Sequence, residues 1–210
     1  MSTGSRGLRT LVWAILGAVM LGILAAFINS TGQRSKLPVL GSVKPFTLTN
    51  QLGDATTLQD LKGKVWVADI IFALCPGPCP KMTEEMSKLQ SAFDAKRPLR
   101  FVTLTTHPEH DTPKVLKTYS EKFSADPSRW YFLTGPKREL LANLAIGSLK
   151  LSAVEKEETL QESENDLFIH TTMFVLVDKA GKIRGYYESL EPGFQEKIRA
   201  DINSLLPERP

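Results

Sequence analysis

Cysteine is scarce in this chain: only two occur among 210 residues, Cys75 and Cys79. With two thiols four positions apart, the fold cannot be held together by several disulfides, and neither thiol has another cysteine to pair with. A disulfide between them would close a loop of about five residues, which constrains the unfolded chain little. A purely structural disulfide is therefore the less favoured interpretation of the pair.

A strong excess of one charge is also lacking. Lys and Arg total 26 against 23 Asp and Glu, giving a net charge of +3 that is spread along the chain. Basic residues interleaved with aromatic ones do not occur as a run, so we expect no nucleic-acid partner. The hydrophobic share of 42% and the charged share of 23% are ordinary for a globular protein.

Charged residues are missing altogether from one stretch near the N-terminus. Leu11 to Ile28 comprises 18 uncharged, mainly apolar residues, and such a helix spans roughly 27 Å, close to a bilayer core. Arg6 and Arg9 precede it, so the positive-inside rule places the N-terminus in the cytoplasm. A cleaved signal peptide is the alternative. Because no cysteine follows the segment closely, we expect no lipid-modified cysteine anchor.

These features predict a single-pass protein of the bacterial inner membrane, whose domain lies in the periplasm or outside the cell. We divide the chain into a membrane anchor at residues 1–30, a polar linker with Gly and Pro at 31–42, and one domain at 43–208. About 170 residues suit a single domain with a full core.

The first predicted core strand of the domain leads directly into the cysteines. Val65 to Leu74 is almost continuously apolar and rich in β-branched residues, which is typical of a strand buried on both faces. Apolar residues then recur every three or four positions and predict a helix with one buried stripe. The stripe comprises Met82, Met86, Leu89 and Phe93.

Strand and helix patterns alternate along the rest of the domain. Asp111-Thr112 before Pro113 is a predicted N-cap, and residues 150–169 are a predicted polar, acidic loop. The predicted strands cover residues 101–105, 130–133, 172–177 and 183–187, and the later helices begin near 113, 136 and 194. This order implies an α/β fold with a central mixed sheet and flanking helices. With a cysteine pair where the first buried strand ends, we predict a thioredoxin-like fold.

Cys75 and Cys79 stand where that strand meets the next helix. The helix N-terminus stabilises thiolate and should lower a thiol pKa. Residues four apart fall on one face of a helix, so both sulfurs can converge on one ion. Two thiolates are soft donors that suit Cu(I). His170 precedes the strand at 172, where thioredoxin-like proteins commonly carry a cis-proline, and could supply a third ligand.

Other interpretations of these residues stay open. The pair could serve a thiol-disulfide oxidoreductase, with Cys75 as the nucleophile and Cys79 as the resolving thiol. A lone histidine such as His170 is often a surface or capping residue. His107 and His110 flank Pro108-Glu109 in a predicted solvated loop, and we expect metal contact there to be the exception.

Several motifs in order resemble the Sco/SenC family, whose members bind copper and assist assembly of the copper A centre of cytochrome c oxidase. The motif Cys75–Pro80 is similar to the family's C-P-x-x-C-P copper motif, and His170 to its third-ligand histidine. Further similar segments are residues 46–48, 61–65, 108–116, 133–135 and 176–178. The chain departs from the family at His107 and His110, where Asp and Arg are typical, and at Ile169, where Asp is common.

The resemblance implies Cys75, Cys79 and His170 as ligands of copper, as Cu(I) or Cu(II). The implied partner is the oxidase subunit that carries the copper A site, together with other copper chaperones or thiol reductants. The leading interpretation is thus a membrane-anchored copper metallochaperone rather than an enzyme, whose redox-active cysteine pair gates binding. The alternative is an extracytoplasmic thiol-disulfide oxidoreductase.

Overall fold

The structure is a computed structural model that describes residues 9, 12–22, 37–151, 153–155 and 168–206, of which 153–155 and 168–170 are described by their backbone alone. The chain forms two compact units, Met1–Lys36 and Leu37–Pro210. In the first unit, residues 12–22 form helix α1 with exposed side chains. No helix within the described ranges is both long and apolar enough to span a membrane. The predicted segment Leu11–Ile28 lies partly outside these ranges.

The second unit alternates strands and helices. Its strands are β1 (Gly41–Ser42), β2 (Thr47–Thr49), β3 (Ala55–Thr57), β4 (Val65–Ile71), β5 (Leu99–Thr105), β6 (Trp130–Leu133), β7 (Ala153–Glu155), β8 (Phe168–His170), β9 (Met173–Val177) and β10 (Lys182–Glu188). Its helices are α2 (Leu58–Leu61), α3 (Cys79–Ser91), α4 (Pro113–Lys122), α5 (Arg138–Leu144) and α6 (Phe194–Leu205). A π-helical turn, Ala145–Leu149, continues α5.

Six of the strands form one mixed sheet in the order β1-β10-β9-β4-β5-β6. Strands β4, β5 and β6 run parallel, while β9 is antiparallel to β4 and β10 is antiparallel to β9. Parallel neighbours require crossover connections, which helices α3 and α4 provide. The carboxyl ends of β4 and β5 therefore meet at the same edge of the sheet.

Strand β4 is buried along its whole length because helices cover both faces of the sheet. Val65, Val67 and Ile71 pack in the core layer that contains α3, α4 and α6. Trp66 and Ile70 pack on the opposite face with residues of α5. The predicted buried strand is correct, but it ends at Ile71 rather than at Leu74. A turn follows at once, in which the backbone amide of Cys75 donates to the carbonyl of Phe72 at 3.1 Å.

The helix after the cysteines has the predicted stripe. Met82, Met86 and Leu89 are each fully buried on α3.

At α4 the prediction needs a correction, because Thr112 alone is the N-cap and its hydroxyl accepts from the amide of Val115. Asp111 is instead fully buried and bonds elsewhere.

The predicted loop at 150–169 is wrong at both of its ends. Strands β7 and β8 pair there as an antiparallel hairpin in which Ala153 stands opposite His170. Neither strand has the alternation of apolar and polar residues that marks a longer strand, so pattern alone could not find them. The acidic residues between the strands, 156–167, lie outside the described residues.

Candidate metal centre

Cys75 and Cys79 lie on either side of the junction between the sheet and α3. Cys75 belongs to the loop at 72–78 that follows β4, and Cys79 is the first residue of α3. Both are present as thiols, Cys75 half-buried and Cys79 buried with 0% exposure. Their side chains are within hydrogen-bonding distance of each other. The two thiols thus meet as predicted, but not on one face of a helix, because α3 begins only at Cys79.

The electrostatic surroundings of Cys79 differ from the prediction. Burial raises the pKa of the Cys79 thiol far above its ordinary value, and the hydrogen bond with Cys75 raises it further. A backbone hydrogen bond from Phe72 acts in the opposite direction but is the weaker influence. The expected lowering of the thiol pKa by the helix N-terminus is therefore wrong for Cys79, because loss of hydration outweighs the helix dipole at a fully buried sulfur.

A small polar network lies beneath Cys79. The hydroxyl of Thr83 donates to the carbonyl of Cys79 at 2.9 Å and lies 3.0 Å from the hydroxyl of Tyr119. Burial raises the pKa of the Tyr119 hydroxyl above its ordinary value, and the hydrogen bond with Thr83 offsets only part of this rise. The network holds the first turn of α3, and burial keeps Tyr119 protonated at neutral pH.

Asp69 is a residue that the sequence analysis missed. It lies in the middle of β4 with 0% exposure, and its charge contributes to raising the pKa of both Cys79 and Tyr119. A carboxylate inside an otherwise apolar run was the signal that could have revealed it, since buried carboxylates are rare unless they are paired. Asp69 therefore belongs to the surroundings of the thiol pair.

The topology carries His170 toward the same edge of the sheet. His170 ends β8, and β9 begins three residues later at Met173. In the antiparallel pairing, Ala68 stands opposite Val175 and Trp66 opposite Val177. Because the two strands are antiparallel, the beginning of β9 lies near the end of β4, where the chain continues into the Cys75 loop. The structure describes the backbone of His170 and not its side chain.

A second group of polar side chains occupies this edge. The rings of His107 and His110 are stacked with their centroids 5.7 Å apart. The Nδ1 atom of His110 lies 2.7 Å from Oδ1 of Asp111. The other carboxylate oxygen of Asp111 accepts from the amide of Ala73 at 3.1 Å. The histidines, which were predicted to be solvated loop residues, are therefore half-buried, and Asp111 connects His110 to the loop that carries Cys75.

The described donors fit a soft metal ion. Two thiols in mutual contact at the mouth of a buried strand are the donor set that Cu(I) prefers. Among residues whose side chains are described, no group of three or more His, Cys, Asp or Glu is arranged to hold a metal. His170, whose side chain lies outside this description, stays the predicted third ligand.

The fold and the thiol pair define a thioredoxin-like protein with a dithiol site, as the sequence predicted. The family model SCO1/SenC matches residues 38–207. The chain belongs to the SCO1/SenC family, and the predicted membership is confirmed.

Solved structures of related proteins agree with this assignment. A SCO1/SenC family lipoprotein from Bacillus anthracis is 35% identical, with a TM-score of 0.72 over 82% of this chain and 98% of that one. BsSco, described as having a disulfide switch and as a member of the Sco family of cytochrome c oxidase assembly proteins, is also 35% identical, with a TM-score of 0.70 over the same shares.

Copper is recorded in one of these relatives. ScoI from Bradyrhizobium japonicum, solved with copper bound, is 27% identical, with a TM-score of 0.65 over 79% of this chain and 99% of that one. Copper, the cofactor predicted from the two thiols, is therefore the metal of a structurally similar family member.

Proposed function

We propose that this protein is a membrane-anchored copper metallochaperone that delivers copper to the copper A centre during assembly of cytochrome c oxidase. The observation that carries the proposal is the contact between Cys75 and Cys79 at the strand–helix junction of a Sco fold. A carrier must hold its cargo firmly and release it by ligand exchange. A half-buried thiol beside a buried one suits both needs, because a recipient can reach Cys75 first.

Cys75, Cys79 and His170 are the proposed ligands. The two thiols must lose their protons when the metal binds, so binding releases protons and depends on pH. Burial raises the pKa of the Cys79 thiol, so the proton competes with the metal for this sulfur. A neutral imidazole would complete the soft set with a nitrogen donor.

Copper titration of the His170→Ala variant tests the third ligand. Loss of one of three donors should weaken Cu(I) binding by at least about tenfold, by analogy with the cost of disturbing a metal shell, and should alter the copper spectra. Equal affinity and unchanged spectra in the variant would show that His170 is not a ligand. The matched control is Thr172→Ala, two residues along the same segment.

The oxidation state of the thiols should gate the binding. A disulfide between Cys75 and Cys79 removes both sulfur donors, so the oxidised protein should bind Cu(I) far more weakly than the reduced one. The comparison requires the same preparation before and after treatment with a reductant, followed by competition for Cu(I) with a chromogenic chelator. Equal affinities in the two states would rule out the gate.

A second function, thiol-disulfide exchange with a partner, is favoured by the unequal burial of the thiols. The Cys75 thiolate would attack a partner disulfide and release one partner thiol, and Cys79 would then lose its proton and attack the mixed disulfide. Two electrons pass to the partner, which leaves as a dithiol, while a Cys75–Cys79 disulfide remains.

Deletion in the source organism separates the roles: added copper should restore oxidase activity if delivery is the task, and an added reductant should restore it if exchange is.

The proposal includes the membrane anchor, with the segment from Leu11 to Ile28 as a single span, the N-terminus in the cytoplasm and the domain at 43–208 outside. The relative from Bacillus anthracis is described as a lipoprotein. In this chain the two cysteines stand at 75 and 79, so the apolar segment would hold the protein at the membrane in place of a lipid.

A further inference from the structure

A tight turn after β5 brings two imidazoles together outside the thiol pair. The amides of His110 and Asp111 both donate to the carbonyl of His107, at 3.2 and 2.8 Å. This turn places the His107 and His110 rings face to face, with their planes inclined by 23°. Glu109, between them, is tied to Arg138 at 3.1 Å and braces the turn from outside.

Asp111 orients one of these rings. It has 0% exposure, and one oxygen lies 2.7 Å from Nδ1 of His110, whose own side chain is 34% exposed. A carboxylate that holds one imidazole nitrogen fixes the orientation of the ring, which is the arrangement found behind metal-binding histidines. Because Asp111 holds Nδ1 of His110, the nitrogen of this ring that can bind a metal is Nε2.

Asp111 is itself held rigidly. Its second oxygen accepts from the hydroxyl of Thr105 and from the amide of Ala73. The Thr105 hydroxyl also accepts from the amide of His107 at 2.9 Å. Both histidines are thus positioned through one buried carboxylate and one hydroxyl, on a scaffold that continues β5.

The pair lies beside the thiol site. Thr105 stands opposite Ile71 in the parallel pairing of β5 with β4, and the amide of Thr106 donates to the carbonyl of Ile71 at 2.9 Å. Ala73, which bonds Asp111, is two residues before Cys75. The hydrogen bonds of one carboxylate thus connect the imidazole pair to the loop that carries the thiol.

We propose that His107 and His110 form a second copper site, selective for Cu(II), next to the thiol pair. Imidazole nitrogen suits Cu(II), which binds a given nitrogen site more tightly than the other divalent first-row metals. Asp111 keeps the His110 ring in place, and one ion can bind both rings once the His107 ring turns toward Nε2 of His110, because torsions of this kind have broad minima. Solvent completes the coordination.

The test removes the thiol site and keeps the histidine pair. The full chain carries Cys75→Ser, Cys79→Ser and His170→Ala, and Cu(II) is titrated with detection by electron paramagnetic resonance. We expect one bound equivalent with nitrogen hyperfine coupling. His107→Ala or His110→Ala in this background should weaken Cu(II) binding by at least about tenfold. Glu121→Gln, at an exposed position on α4, is the matched control and should leave binding unchanged.

Two results would overturn the proposal: an absence of Cu(II) binding in the background chain, or equal binding with and without the two histidines. Thermal unfolding of each variant identifies any that are misfolded, and His110→Gln then replaces His110→Ala, because it keeps a side chain of similar polarity without an imidazole. Cu(I) binding by the unaltered chain reports on the thiol site separately, so the proposed function can hold or fail independently of this site.

Discussion

At the scale of single residues, the two cysteines have unlike surroundings although they are four positions apart. Cys75 is half-buried in a loop, whereas Cys79 is fully buried at the start of α3. Burial raises the pKa of the Cys79 thiol, so this sulfur holds its proton more firmly than an exposed thiol would. The difference makes Cys75 the point of entry for any electrophile, metal or partner.

We therefore expect Cys75 to be alkylated at least about tenfold faster than Cys79, since the thiolate is the reactive form and must also be reachable. A time course with iodoacetamide, followed by peptide mass spectrometry, measures both rates in the reduced protein. The single variants Cys75→Ser and Cys79→Ser serve as matched controls. Equal rates at the two sulfurs would contradict the assigned roles.

The sequence revealed the two thiols but not the polar residues around them. Spacing placed Cys75 and Cys79 at a strand–helix junction, because a buried strand and an amphipathic helix both leave clear patterns. Asp111 bonds to the amide of Ala73, which is 38 positions away in sequence, and Asp69 is buried within an apolar strand. Asp111 also stands beside a true N-cap, so the local pattern assigned it that role.

At the scale of elements, the β9–β10 hairpin depends on one carboxylate. Oδ1 of Asp178 accepts from the amides of Ala180 and Lys182, each at 2.9 Å. Its Oδ2 accepts from Nε of Arg184 at 2.6 Å. Burial alone would raise the pKa of Asp178, but the bonds from Lys182 and Arg184 outweigh it and hold the pKa below the ordinary value.

A lowered pKa means that the ionised carboxylate stabilises the folded state above the pKa of the unfolded chain, about 4. This stability is lost as the pH falls through the folded pKa. We expect Asp178→Asn to reduce the free energy of unfolding by about 1–3 kcal/mol at neutral pH, and by less at about pH 3. Denaturant unfolding at both pH values measures the difference.

The exposed Asp54 offers a matched control for that experiment. Asp54→Asn should change the free energy of unfolding by no more than about 0.5 kcal/mol at either pH. A loss in Asp178→Asn that is as large in acid as at neutral pH would mean that the charge of the carboxylate is not what stabilises the hairpin.

Predictions for elements succeeded where the local sequence pattern was long and failed where it was short. The long β4 and the stripe of α3 were predictable because helices and sheet bury them from both sides. The hairpin of β7 and β8 was not, since each strand has three residues and, among the described strands, pairs only with the other. Its place depends on the rest of the fold rather than on local pattern.

At the scale of the whole molecule, the chain consists of two compact units. The unit Leu37–Pro210 contains the sheet and the thiol pair, and the unit Met1–Lys36 contains the apolar segment. A copper carrier that serves a membrane enzyme gains from being held at the membrane, because tethering raises its effective concentration near the recipient.

Removal of residues 1–36 should release the protein from the membrane fraction into the soluble one, because the uncharged segment is the proposed anchor. Fractionation of cells, with detection of the full and shortened chains, measures this. The control is a chain in which Arg6 and Arg9 are replaced by Ala, which should alter orientation rather than attachment. A shortened chain that stays with the membrane would contradict the anchor.

The central claim is that Cys75, Cys79 and His170 bind one copper ion. X-ray absorption at the copper edge, measured on the reduced full chain with one equivalent of Cu(I), tests it most directly. We predict two sulfur neighbours and one nitrogen neighbour, with the nitrogen lost in His170→Ala and the sulfurs lost when both cysteines are replaced by serine. A shell without sulfur in the unaltered chain, or a nitrogen that survives in His170→Ala, would contradict the account.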